Sequence, residues 1–107
     1  MASATNIRLA FNVLVYKEDS WWIAHCLEMD LPAEGATPTE AIKNLLEIAN
    51  IQIQSALSDG DLQSIFSPAP PELWKAFAVA VDIALPRKSG RLTKPIERLN
   101  VRELACC

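Results

Sequence analysis

The tetrapeptide Thr37-Pro38-Thr39-Glu40 constrains this chain more than any other feature. Thr37 can cap the first free N–H groups of a helix, Pro38 suits the first helical position, and Glu40 completes a capping box. From that start Ala41, Ile42, Leu45, Leu46, Ala49, Ile53, Ala56 and Leu57 fall on one stripe. The spacing predicts a helix to about Ser58, roughly 30 Å long, ended by Asp59-Gly60-Asp61. A helix apolar along one stripe must bury it against another element. Ile48 and Ile51 lie toward the stripe's edge and are expected to meet a second layer or another subunit.

The partner surface lies upstream. In Ile7 to Tyr16, the residues Ile7, Leu9, Phe11, Val13 and Val15 alternate with Arg8, Asn12 and Tyr16 among those between them. That is the period of a half-buried strand. Lys17-Glu18-Asp19-Ser20 reads as the turn of a hairpin. The next strand runs from Trp21 to Met29, with Trp21, Ile23, His25 and Leu27 on one face and Trp22, Ala24, Cys26 and Glu28 on the other. Leu31 to Ala36 supplies a short edge strand ended by Gly35, because Pro32 withholds a ladder donor.

Beyond Asp61 the pattern is less regular. Ile65-Phe66 leads into the rigid connector Ser67-Pro68-Ala69-Pro70-Pro71, and then a short helix carries Leu73, Trp74 and Phe77 inward. Ala78 to Leu85 fits either a strand or a continuation of that helix. Residues 86–95 form a basic loop, and Ile96 to Leu104 reads as a last strand. At 107 residues, half of them hydrophobic, the chain suits one folded domain.

Charge divides the chain. Residues 1–61 hold three Lys/Arg against nine Asp/Glu, a net of −6, and residues 62–107 hold seven against four, a net of +3. The acidic half suits a basic partner and disfavours nucleic acid over the main body. Three cysteines, Cys26 and the adjacent Cys106 and Cys107, make a poor disulfide framework and point to a reducing compartment. No apolar run approaches a membrane span, and the first residues lack a charged leader with a continuous apolar stretch, so a cytoplasmic location is expected.

Residues able to do chemistry are few. His25 and Cys26 are adjacent on a strand, so their side chains diverge. His25 is therefore read as packed in the sheet and hydrogen-bonded to a neighbour, and Cys26 as a small buried apolar residue. One His and three Cys without C-x-x-C spacing make no zinc site. The three glycines, Gly35, Gly60 and Gly90, form no phosphate-cradling loop, and no cofactor is expected. Glu28, Asp30 and Glu34 are the carboxylates that a metal-dependent nuclease would gather. Arg87, Lys88, Arg91 and Lys94 are the residues with which a nucleic-acid-binding tail would contact phosphates. Trp21 and Trp22 in tandem send one ring toward the helix and the other outward, and an outward Trp is a usual interface anchor.

The stretch FNVLVYKEDSWWIAHCLEMDLPAEGATPTEAIKNLLEIANIQI resembles the N-terminal domain of HicB-type antitoxins and their stand-alone relatives. Residues 22–31, WIAHCLEMDL, and Gly35 to Ala41, GATPTEA, carry the likeness, which covers about residues 7–58. The segment SIFSPAPPELWKAF also looks like the continuation in some stand-alone members. The resemblance implies an α+β fold in β-β-β-α-β order, a three-stranded antiparallel sheet with one long helix packed on it. That arrangement is akin to a truncated ribonuclease-H-like or double-stranded-RNA-binding fold. Residues 62–107 would be a C-terminal extension with a short helix and a last strand. It also implies a protein that binds and inhibits HicA, a small basic toxin that cleaves mRNA, and that forms dimers or larger assemblies. The DNA-reading half of full antitoxins is not recognisable in residues 62–107, and no catalytic residue is carried over.

The leading expectation is a non-enzymatic, HicB-like protein-binding module that self-associates. Its partner-binding residues would be Trp21, Trp22, Glu28, Asp30 and Glu34. The nuclease and the nucleic-acid-binding module are the alternatives.

Overall fold

The computed structural model describes residues 9–83 and 96–104, apart from the side chain of Glu97. In chain order the elements are β1 (Leu9–Glu18), β2 (Trp21–Cys26), β3 (Leu31–Gly35), α1 (Pro38–Ser58), a 3-10 turn (Leu62–Ile65), α2 (Pro71–Val79), β4 (Val81–Ile83) and β5 (Ile96–Glu103). The sheet has five strands in the order β3-β2-β1-β5-β4, which corrects the expected three. β1, β2 and β3 form the antiparallel meander, β5 lies parallel to β1, and β4 pairs antiparallel with β5. The difference has a local cause. Ala78 to Leu85 was ambiguous because it is both things: the helix runs to Val79, Ala80 turns extended at ψ 165, and Val81–Ile83 enters the sheet.

The second strand is also shorter than expected, stopping at Cys26 rather than Met29. Asp30 adopts φ 50, a left-handed conformation uncommon outside glycine, so residues 27–30 turn instead of extending. β1 in turn reaches Glu18, and only Asp19 and Ser20 connect it to β2. Asp19 at φ 57 makes that tight reversal.

α1 begins as its sequence dictates. Thr37 is the N-cap, its Oγ1 accepting from the Glu40 N–H at 3.1 Å. The Glu40 carboxylate accepts from the Ala36 N–H at 2.7 Å, one residue before the cap. Ala41, Ile42, Leu45, Ala49, Ile53 and Ala56 are buried against Phe11, Val13, Val15, Ala24, Cys26 and Ala33. Gly35 serves this docking. A Cβ there would lie 2.4 Å from the Ala41 nitrogen, so only glycine lets β3 approach the start of α1.

The other face of the sheet is covered too. Leu14 and Leu27 are fully buried and cluster with Ala69 and Phe77, with Tyr16, Leu73 and Trp74 packed alongside. β1 is thus buried on both faces at its centre, not half-buried. The connector reaches this face by joining the sheet's polar end: the Ser67 N–H donates to the Glu28 carbonyl and the Ala69 N–H to the Leu27 carbonyl. The second helical layer consequently lies opposite α1 and does not cover Ile48 or Ile51, which stay exposed. No helix among the described residues is long and apolar enough to cross a membrane.

Candidate protein-binding site

The register sorts the expected site residues onto two faces and two ends. Trp22 points to the α1 side, half-buried and packed on the core, with the Lys17 ammonium 5.8 Å from its ring centroid. Trp21 faces the opposite way and is 49 % exposed. Glu18 stands directly across β1–β2 from it. Glu34, exposed on edge strand β3, pairs with Ile23, the next β2 residue on that face. Trp21 and Glu34 therefore share one end of one face, together with Glu18, which belongs to β1 and not to the turn expected over Lys17 to Ser20. The signal for Glu18 was its alternation with Tyr16, which continues through position 18 once the connection is two residues long.

Glu28 and Asp30 lie at the other end, and both are engaged within the molecule. The two Glu28 carboxylate oxygens accept from the Asn12 backbone N–H at 2.8 Å and from its side-chain amide at 2.7 Å. The Asn100 amide donates to Asn12 Oδ1 at 3.2 Å, extending the chain of bonds to β5. Asp30 Oδ1 lies 2.7 Å from His25 Nε2. Glu28, Asp30 and Glu34 are not gathered around a common point: among the described residues no group of three His, Cys, Asp or Glu is placed to hold a metal ion. Arg87, Lys88, Arg91 and Lys94 lie outside the described residues.

His25 is 7 % exposed and is satisfied at both ring nitrogens, with the Tyr16 hydroxyl 3.3 Å from Nδ1. Each ring nitrogen thus has a polar partner, the Asp30 carboxylate at Nε2 and the Tyr16 hydroxyl at Nδ1. Burial raises the Tyr16 hydroxyl above its ordinary range, and the charges of Glu18 and Asp30 add to the effect. Cys26 lies on the far side of β2 from His25, inside the α1 core, where burial pushes its thiol up to about 12. A thiol held in that form is not a nucleophile at neutral pH. His25 and Cys26 thus behave as structural residues in a packed sheet.

An open concavity of about 450 Å³ lies over the start of the β1·β5 pair, lined by Ala10, Phe11, Asn12, Arg98, Leu99 and Asn100. Asn12 and Asn100, which line it, belong to the hydrogen-bond network that reaches Glu28. No family model matches this chain, and comparison with curated proteins and with solved structures returns no match.

Proposed function

We propose that this chain is a HicB-like protein-binding module, an antitoxin-type inhibitor of a small basic HicA-like toxin, acting in the cytoplasm as a homo-oligomer. The observation that carries the reading is Trp21. The other two tryptophans are committed inside the fold, Trp22 against the α1 core and Trp74 through its indole N–H to the Ala69 carbonyl at 3.1 Å. Trp21 keeps 49 % of its surface in water on a strand whose last four residues are buried. A large rigid aromatic left outward contributes little to stability and much to association. The acidic first half favours a basic partner, since complementary charge speeds encounter and rejects wrong partners.

The meander β1–β2–β3 followed by α1 supports the resemblance in element order, and the GATPTEA segment has a physical task in docking α1 on β3. Co-expression with the product of the adjacent reading frame tests the proposal. The expected result is a stable complex with a small basic protein and relief of that protein's toxicity. Absence of both a complex and a rescue would contradict it.

A further inference from the structure

We infer that the Trp21 face of the β1–β2 hairpin receives a single basic side chain, an arginine or lysine on the partner protein, seated on the indole ring between the carboxylates of Glu18 and Glu34. The inference rests on the binding-module reading and names the chemistry its contact uses.

The pairing of strands sets the geometry. Glu18 is the direct cross-strand neighbour of Trp21, a relationship that places Cβ atoms about 5 Å apart, and a diagonal neighbour such as Glu34 lies about 7–8 Å away, within reach of long side chains. Trp21 thus stands between an acid on β1 and an acid on β3, all three on the face opposite α1. Glu18 and Glu34 are both exposed, and neither carboxylate makes an ion pair among the described residues. The charge of Glu18 is felt across this face, since it contributes to raising the Tyr16 hydroxyl.

The basic residues nearby in sequence are directed elsewhere. Lys17 is the one Lys or Arg in β1, β2 and β3, and it lies over the Trp22 ring on the opposite face. On β1, β2 and β3 this end of the Trp21 face therefore carries an indole ring and two carboxylates and no Lys or Arg. The protein holds a cation of its own by the same means: the Arg102 guanidinium sits 4.5 Å from the Phe77 ring centroid and pairs with Asp82 at 2.9 Å. Trp21 with Glu18 and Glu34 presents that combination of ring and carboxylate outward, and tryptophan is the strongest of the aromatic platforms for a cation.

The test is a titration of the intact ¹⁵N-labelled chain with a tetra-arginine peptide at low salt, following the three indole N–H signals. The Trp21 signal should move saturably while those of Trp22 and Trp74 stay in place. Glu18→Gln with Glu34→Gln should weaken binding about tenfold, and Glu47→Gln on the outer surface of α1 should leave it unchanged. A tetra-glutamate peptide should move nothing. A peptide that leaves Trp21 unmoved, or that binds the Glu18→Gln/Glu34→Gln and Glu47→Gln variants alike, overturns the inference. A basic partner protein held equally by the native chain and by Trp21→Ala overturns it while leaving the binding-module reading intact. A native chain that retains no basic protein overturns that reading instead.

Discussion

Glu18 faces Trp21 directly across the β1–β2 hairpin, and it does so because only Asp19 and Ser20 connect the strands. A one-residue change in register would send Trp21 to the α1 side and Trp22 outward, since side chains alternate along a strand. The hairpin turn therefore decides which tryptophan faces solvent.

The two tryptophans should respond oppositely to truncation. Trp21→Ala is expected to change folding stability by less than about 0.5 kcal/mol, as for surface positions, whereas Trp22→Ala should cost about 2–3 kcal/mol because that ring is packed on the core. Urea unfolding of the two variants measures the difference. Equal losses would show that the rings do not divide between the faces as described.

Gly35→Ala should destabilise the fold by about 1–3 kcal/mol, the range for overpacking. The added methyl meets backbone atoms of Glu40 and Ala41, which cannot rotate aside as a flexible side chain would. Thermal unfolding reads the loss, and an unchanged midpoint would mean that β3 and α1 do not approach this closely.

Most of the first half of the fold is legible in the sequence, and particular residues explain why. Thr37, Pro38 and Glu40 encode the start of α1 through local hydrogen bonds, and the stripe from Ala41 to Leu57 encodes its buried face. The placement of the chain after Asp61 is not local. Leu14 sits at a position that alternation alone assigns to solvent, and it is buried because Ala69 and Phe77, more than fifty residues later, cover it. β4 is only three residues of an alanine- and valine-rich run that suits helix and strand alike, and its pairing with β5 decides the matter. At the site, the outward Trp was legible from the tandem, while the separation of Glu28 and Asp30 from Glu34 was not. It depends on the left-handed turn at Asp30 and on the Asn12 side chain reaching Glu28.

The second layer makes its own prediction. Leu14→Ala should cost about 2–5 kcal/mol, the range for a fully buried leucine. Phe77→Ala should lose stability through the same cluster, and the two losses should be non-additive because the side chains share one core. A double-mutant cycle under denaturant provides the check, and full additivity would place α2 away from Leu14.

Alkaline pH should weaken the fold. Cys26 and Tyr16 both hold their protons more tightly folded than unfolded. As pH rises past the ordinary thiol and phenol ranges, the unfolded chain releases protons that the folded chain retains, so stability falls. For Cys26 the loss continues until pH approaches about 12. Below the ordinary thiol range these two groups contribute no pH dependence. Denaturant midpoints between pH 7 and 11 should thus be flat at first and then decline, and Cys26→Ala should make the decline shallower.

The most direct test of the account is isothermal titration of the intact chain, native and Trp21→Ala, against the product of the adjacent reading frame. The account predicts a salt-sensitive complex with the native chain and at least about tenfold weaker binding by the variant, equivalent to about 1.4 kcal/mol. Equal affinity for the two chains, or no complex with either, would contradict it.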